Sequence, residues 1–155
     1  MFSFFKASQF LLDHPEAVSV ATKRTIAEFA QDNVRYLELR TTPRAVAGKM
    51  TAEEHIRTVA QAATAPPQGI VVKLLLSIDR RHSTDRAWET LEIYRKMQVE
   101  FPGLFVGLDL SGDAREGISF LSTPFSFKRL GQRYPIGTLL SASLDREVIK
   151  GLYRI

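Results

Sequence analysis

The chain has 155 residues, of which 45% are hydrophobic and 25% charged. That suffices for one globular domain but falls short of a complete eight-stranded α/β barrel, which takes ~250 residues. Cysteine is absent, which excludes disulfides and thiolate metal sites and is compatible with a reducing, cytoplasmic setting.

The formal charge is +4, yet the basic residues are dispersed: Lys23-Arg24, Arg80-Arg81, Arg95-Lys96, Lys128-Arg129. No run of about five or six like charges marks a nucleic-acid tail, so no nucleic-acid partner is expected. The apolar start, Met1 to Leu12, is interrupted by Lys6 and Gln9, and no small-residue cleavage site follows it. No stretch reaches the ~18 unbroken apolar residues of a membrane span, so no membrane partner is expected either.

Residues from Pro15 to Gln31 read as a helix. His14 or Asp13 can cap it, and Pro15 suits its first turn, where a missing N–H is harmless. Val18, Ala21, Thr25 or Ile26, and Phe29 form its apolar face. Val34 to Leu39 reads as a strand, followed by a loop with Pro43 and Gly48. Thr51-Ala52-Glu53-Glu54 is a capping box that opens a second helix, with Ile56, Val59, Ala60 and Ala63 inward. His14 and His55 are expected to be ordinary surface residues.

Ile70 to Ile78 is almost continuously apolar, as in a strand covered on both faces. Ser83 or Thr84 caps a third helix to about Val99, with Ala87 or Trp88, Leu91 and Tyr94 inward. Leu104 to Leu110 is the third strand. The strand starts recur every ~35 residues, the size of one strand–helix unit. Strands separated by helices pair in parallel, so the fold class is α/β, with the choice between open sheet and barrel left open. After Gly117 the pattern loses its period; a short strand within Tyr134 to Leu140 and a weak helix from Leu144 to Leu152 are expected there. The organisation is therefore read as residues 1–117 and a divergent segment 118–155.

Parallel α/β folds bind ligands at the C-terminal ends of their strands. Those exits read Arg40-Thr41-Thr42-Pro43-Arg44, Asp79-Arg80-Arg81 and Ser111-Gly112-Asp113. Glu38, between two leucines, requires a partner, and Arg40 or Arg80 can supply one. Asp109 has the same need. Asp79 stands at the exit itself, within reach of a base or hydroxyl. Arg44, with Arg80 or Arg81, can hold an anion by bidentate hydrogen bonds. Gly112 serves either the turn geometry or the close approach of a flat ligand. His14, His55 and His82 form no metal-ligand spacing. Walker loops, G-x-G-x-x-G, nucleophile elbows and the cysteine-containing cytidine-deaminase signature are all absent.

The stretches Val34 to Arg44, Ser77 to Arg81 and Val106 to Asp113 resemble the adenosine deaminase family, most of all its adenosine deaminase-like branch, the N(6)-methyl-AMP deaminases. The resemblance runs from Phe2 to Gly117. It implies a partial (β/α)8 barrel of TIM type and a hydrolase in which zinc activates water against C6 of a purine. It also implies that Thr41, Thr42, Pro43 and Arg44 form a nucleotide-binding loop, with Arg44 favouring a 5′-phosphate. Asp79 would be a substrate contact and Gly112 the residue whose N–H meets the purine.

The family's H-x-H pair and its H-x-x-E motif have no counterpart in these residues, and Gln9 stands where a substrate histidine is expected. No residue is therefore assigned to catalysis or metal. The expectation is a partial deaminase that binds a purine nucleoside monophosphate and is inactive alone, as a spliced, fragmentary or degenerate form would be. A non-catalytic nucleotide- or partner-binding module, self-associating through open sheet edges, is the alternative. A small unrelated α/β domain with an anion site at Arg44 and Arg80 is a third reading.

Overall fold

A computed structural model describes residues 11–112 and the backbone of Leu152–Arg154. In chain order the elements are α1 (Pro15–Gln31), β1 (Tyr36–Thr41), α2 (Ala52–Ala63), β2 (Val71–Asp79), α3 (Thr84–Glu100), β3 (Phe105–Ser111) and β4 (Leu152–Arg154). The strands run β3-β2-β1-β4 across one sheet, and every pair is parallel. Thus the α/β alternation expected from the sequence is present, with β1 beginning two residues later than its hydrophobic run.

Each helix begins where local chemistry favours it. The Thr51 hydroxyl accepts from the Glu54 N–H, and the Glu54 carboxylate accepts from the Thr51 N–H, completing the capping box. Ser83 accepts from the Arg86 N–H at the start of α3. At α1 the cap is His14, but its side chain makes no capping bond. Asp13 is drawn off to His14 and Lys49 instead, and these two hold its carboxyl near 2, Lys49 contributing most.

Alternation along the strands gives the sheet two unlike faces. Leu37, Leu39, Val72, Leu74, Leu76, Ile78 and Leu108 form one buried cluster with Val18 and Ile26 of α1, Ile56 and Val59 of α2, and Leu91 and Met97 of α3. All three helices therefore cover one side. Within α1, Thr22 is fully buried, where Ala21 was expected; its hydroxyl donates to the Val18 carbonyl, which lets a polar residue sit there. In α3 it is Ala87 that faces inward, while Trp88 is 46% exposed. The register of β2 against β3 slips between Leu74 and Leu75, leaving Val106 without a partner. This slip places both Phe105 and Leu108 on the helix side, where the Phe105 ring meets Tyr94 edge-on at 6.2 Å.

The opposite face carries Glu38 and Arg40 of β1, Lys73, Ser77 and Asp79 of β2, and Asp109 and Ser111 of β3, as the pairing register requires. On the β1 side the edge is paired by β4, so that edge is not open. Leu152 thus begins a strand rather than ending a helix. The rest of that expected helix, the strand expected within 134–140, Gln9 and the boundary at 117 lie outside the described residues.

His55 departs from expectation. It is 7% exposed, not a surface residue, because its position in α2 turns it inward beside Ile56 and Val59. Burial, and then the Arg44 charge, lower its pKa from 6.5 to about 4. Its Nδ1 is buried with no hydrogen-bond partner.

Two outcomes follow for stability. Leu39→Ala removes a fully buried side chain from the shared cluster and is expected to lower unfolding free energy by about 2–5 kcal/mol in guanidinium titrations. Because His55 stays neutral in the fold, stability is expected to fall as pH drops from 6.5 to about 4, where the unfolded chain takes up a proton that the native one refuses. The loss amounts to about 3 kcal/mol at most. In His55→Phe, denaturation midpoints measured across that window are expected to flatten.

Candidate functional site

The parallel arrangement makes β1, β2 and β3 end on the same edge, at Thr41, Asp79 and Ser111. The residues picked out in the sequence follow directly from those ends. Asp79 faces Ser111 in the register, and Gly112 comes next. Glu38 and Asp79 share the polar face, since Glu38 pairs with Lys73 and the positions alternate from there to Asp79.

Asp79 and Gly112 are in direct contact. Gly112 has φ +102°, a conformation that disfavours any other residue, and a Cβ there would lie 2.7 Å from Asp79 Oδ1 and 2.9 Å from Arg80 Cγ. The glycine serves the turn geometry, and its missing side chain also makes room for the Asp79 carboxylate. The Arg80 N–H donates to the Ser111 carbonyl at 2.9 Å, locking the two loops together.

Arg81 occupies Asp79. Its backbone N–H donates to Oδ1 at 3.0 Å, its Nε to Oδ1 at 3.0 Å and Oδ2 at 3.2 Å, and its Nη2 to Oδ2 at 2.5 Å. These bonds outweigh burial and hold the carboxyl near 2, so Asp79 is ionised at neutral pH.

Deeper in the same face lies a second polar cluster. Arg40 Nη1 donates to Asp109 Oδ2 at 3.0 Å, and the Ser77 hydroxyl donates to the same oxygen at 3.1 Å. Glu38 takes neither arginine; the Tyr36 hydroxyl donates to it at 2.7 Å, because Asp109 across the sheet has captured Arg40. Thr41 is fully buried and its hydroxyl has no partner among the described residues, as is also true of Arg40 Nε. Thr42, Pro43 and Arg44 are half-buried in the loop that follows. No ion pair involves Arg44 among the described residues; its charge is felt by His55 behind it.

These residues do not fit a zinc centre. His14 is exposed at the start of α1, His55 is buried in α2 and His82 is exposed beyond β2. Among the described residues no three or more histidine, aspartate or glutamate side chains come together in a way that could hold a metal. No described helix is long and apolar enough to cross a membrane.

Sequence reasoning missed the Arg81 clamp. The signal was available: an aspartate at a strand exit with an arginine two residues on allows backbone and side chain to close on one carboxylate.

No protein-family profile matches the chain. Among curated proteins it is 38% identical over 120 residues to N6-methyl-AMP deaminase of Danio rerio, covering 75% of this chain and 34% of that protein. It is 35% identical over 136 residues to N6-methyl-AMP deaminase of Homo sapiens, covering 84% and 38%. Among solved structures it matches Arabidopsis ADAL complexed with GMP at a TM-score of 0.73 and 30% identity, over 85% of this chain and 40% of that one. An ADAL–IMP complex matches at 0.72, again with 30% identity, over 85% and 41%. The parallel strand–helix alternation seen here is therefore that of a partial barrel. By sequence and by fold, the chain belongs to the adenosine deaminase-like family, and it spans about a third of the length of the curated relatives it matches.

Proposed function

We propose that this chain forms the nucleotide-binding wall of an N6-methyl-AMP deaminase-type barrel and takes a purine nucleoside monophosphate at its strand exits. The observation that carries the reading is the convergence of Thr41–Arg44, Asp79 and Gly112 on one edge of a parallel sheet. The solved relatives described as complexes with GMP and IMP support the ligand class.

Each residue has a chemical task in this reading. Arg44 offers a guanidinium fork to the 5′-phosphate, helped by the hydroxyls of Thr41 and Thr42, with Pro43 stiffening the loop. Asp79 accepts from a purine N–H or a ribose hydroxyl. Gly112 lets the flat ring approach backbone that a Cβ would hold away.

Hydrolysis at C6 needs a water activated well below its ordinary pKa, and no described residues assemble a metal site for it. We read the chain by itself as binding without turnover, as a spliced, fragmentary or degenerate family member would, and as acting in the cytoplasm. A second copy would meet the sheet at β3, which has no further strand neighbour among the described residues.

Calorimetry with AMP and adenosine tests the ligand. Arg44→Ala is expected to weaken AMP binding by about tenfold or more and to leave adenosine unchanged. No effect on AMP would remove the phosphate role. Incubation of the chain with zinc and N(6)-methyl-AMP is expected to release no methylamine; one bound zinc equivalent with turnover would refute the claim of inactivity.

A further inference from the structure

Asp79 ends β2 at the edge where a ligand arrives, and only 4% of it is exposed. What covers its oxygens is a surface arginine. Arg81 holds both oxygens through its side chain and one of them again through its backbone N–H, yet its own side chain is 54% exposed. Gly112 closes on Oδ1 from another side. Thus both acceptors that a ligand's N–H or O–H would need are already taken by a group that stands half in solvent.

The geometry points to Arg81 as the residue that makes this site select nucleotides over nucleosides, an inference that rests on the purine-nucleotide reading above. A neutral nucleoside can reach Asp79 only by stripping the guanidinium fork from a buried carboxylate. Nothing in that ligand replaces the lost partner of either charge. A phosphate monoester does replace one of them. Arg81 then exchanges a carboxylate for a phosphate, both of which match its planar fork, while Asp79 turns to the base or ribose. Arg44, on the loop after the neighbouring strand, supplies a second cation at the same sheet edge. Arg81 is therefore a specificity residue whose two partners, Asp79 and phosphate, compete for it.

Titration calorimetry of the full chain with AMP and with adenosine, for wild type, Arg81→Gln and Arg81→Lys, tests this. Wild type is expected to prefer AMP. In Arg81→Gln, adenosine is expected to bind about fivefold more tightly and AMP more weakly, narrowing their affinity ratio by roughly tenfold or more. Arg81→Lys keeps the charge without the fork and is expected to narrow the ratio less. In nuclear magnetic resonance, the Arg81 Nε–H signal is expected to move on adding AMP or inorganic phosphate and to stay in place with adenosine. A ratio unchanged in folded Arg81→Gln and Arg81→Lys, or an Arg81 signal indifferent to phosphate, overturns the role of Arg81 and leaves the nucleotide reading standing. Failure of every form to bind AMP overturns both. If Arg81→Gln does not fold, Arg81→Lys and the wild-type resonance still decide.

Discussion

Leu37, Leu39, Val72, Leu74, Leu76, Ile78 and Leu108 can leave water together only if α1, α2 and α3 all cross the same side of the sheet. Each fully buried leucine contributes roughly 1.5–3 kcal/mol relative to exposure, so the shared cluster favours this packing of the helices. The crossovers this demands make every strand parallel, and parallel strands must finish on a common edge. The gathering of Thr41, Asp79 and Ser111 at that edge is a consequence of burying the leucines. Even the register slip beside Leu74 serves this end, since without it Phe105 and Leu108 would lie on opposite faces.

The other face has different chemistry. Charges set into strands need partners, and here one finds them across strands and another along its own. Asp109 of β3 takes Arg40 of β1 and Ser77 of β2, tying three strands together with one carboxylate oxygen. Glu38, deprived of arginine, settles on the Tyr36 hydroxyl. Asp79 sits past this network, at the exit, and takes Arg81 from its own loop. Asp109 is a cross-strand brace, whereas the Asp79–Arg81 pair at the edge is local, with a half-exposed arginine.

The chain belongs to the adenosine deaminase-like family and spans about a third of the length of the curated relatives it matches. In a barrel of this kind the loops that follow different strands meet at one end, so residues that work together need not be close in sequence. The three histidines do not meet in this way: one is at a cap, one buried in α2, one in a loop, with no pair aimed at a common point among the described residues.

Local chemistry was readable along the chain. The capping box at Thr51, the proline at the start of α1, the continuous apolar run of β2 and the strand–helix period each depend on residues close in sequence, and each appears in the fold. The order of the strand exits was readable for the same reason. Partnerships depended on the tertiary structure. That Arg40 joins Asp109 instead of Glu38, that His55 is buried instead of exposed, that Thr22 replaces Ala21 in the core, and that Leu152–Arg154 pairs with β1 all follow from which elements meet in space. A side chain's best partner is set by distance across the sheet, and residues 69 positions apart in Arg40 and Asp109 leave no local trace of being 3.0 Å apart.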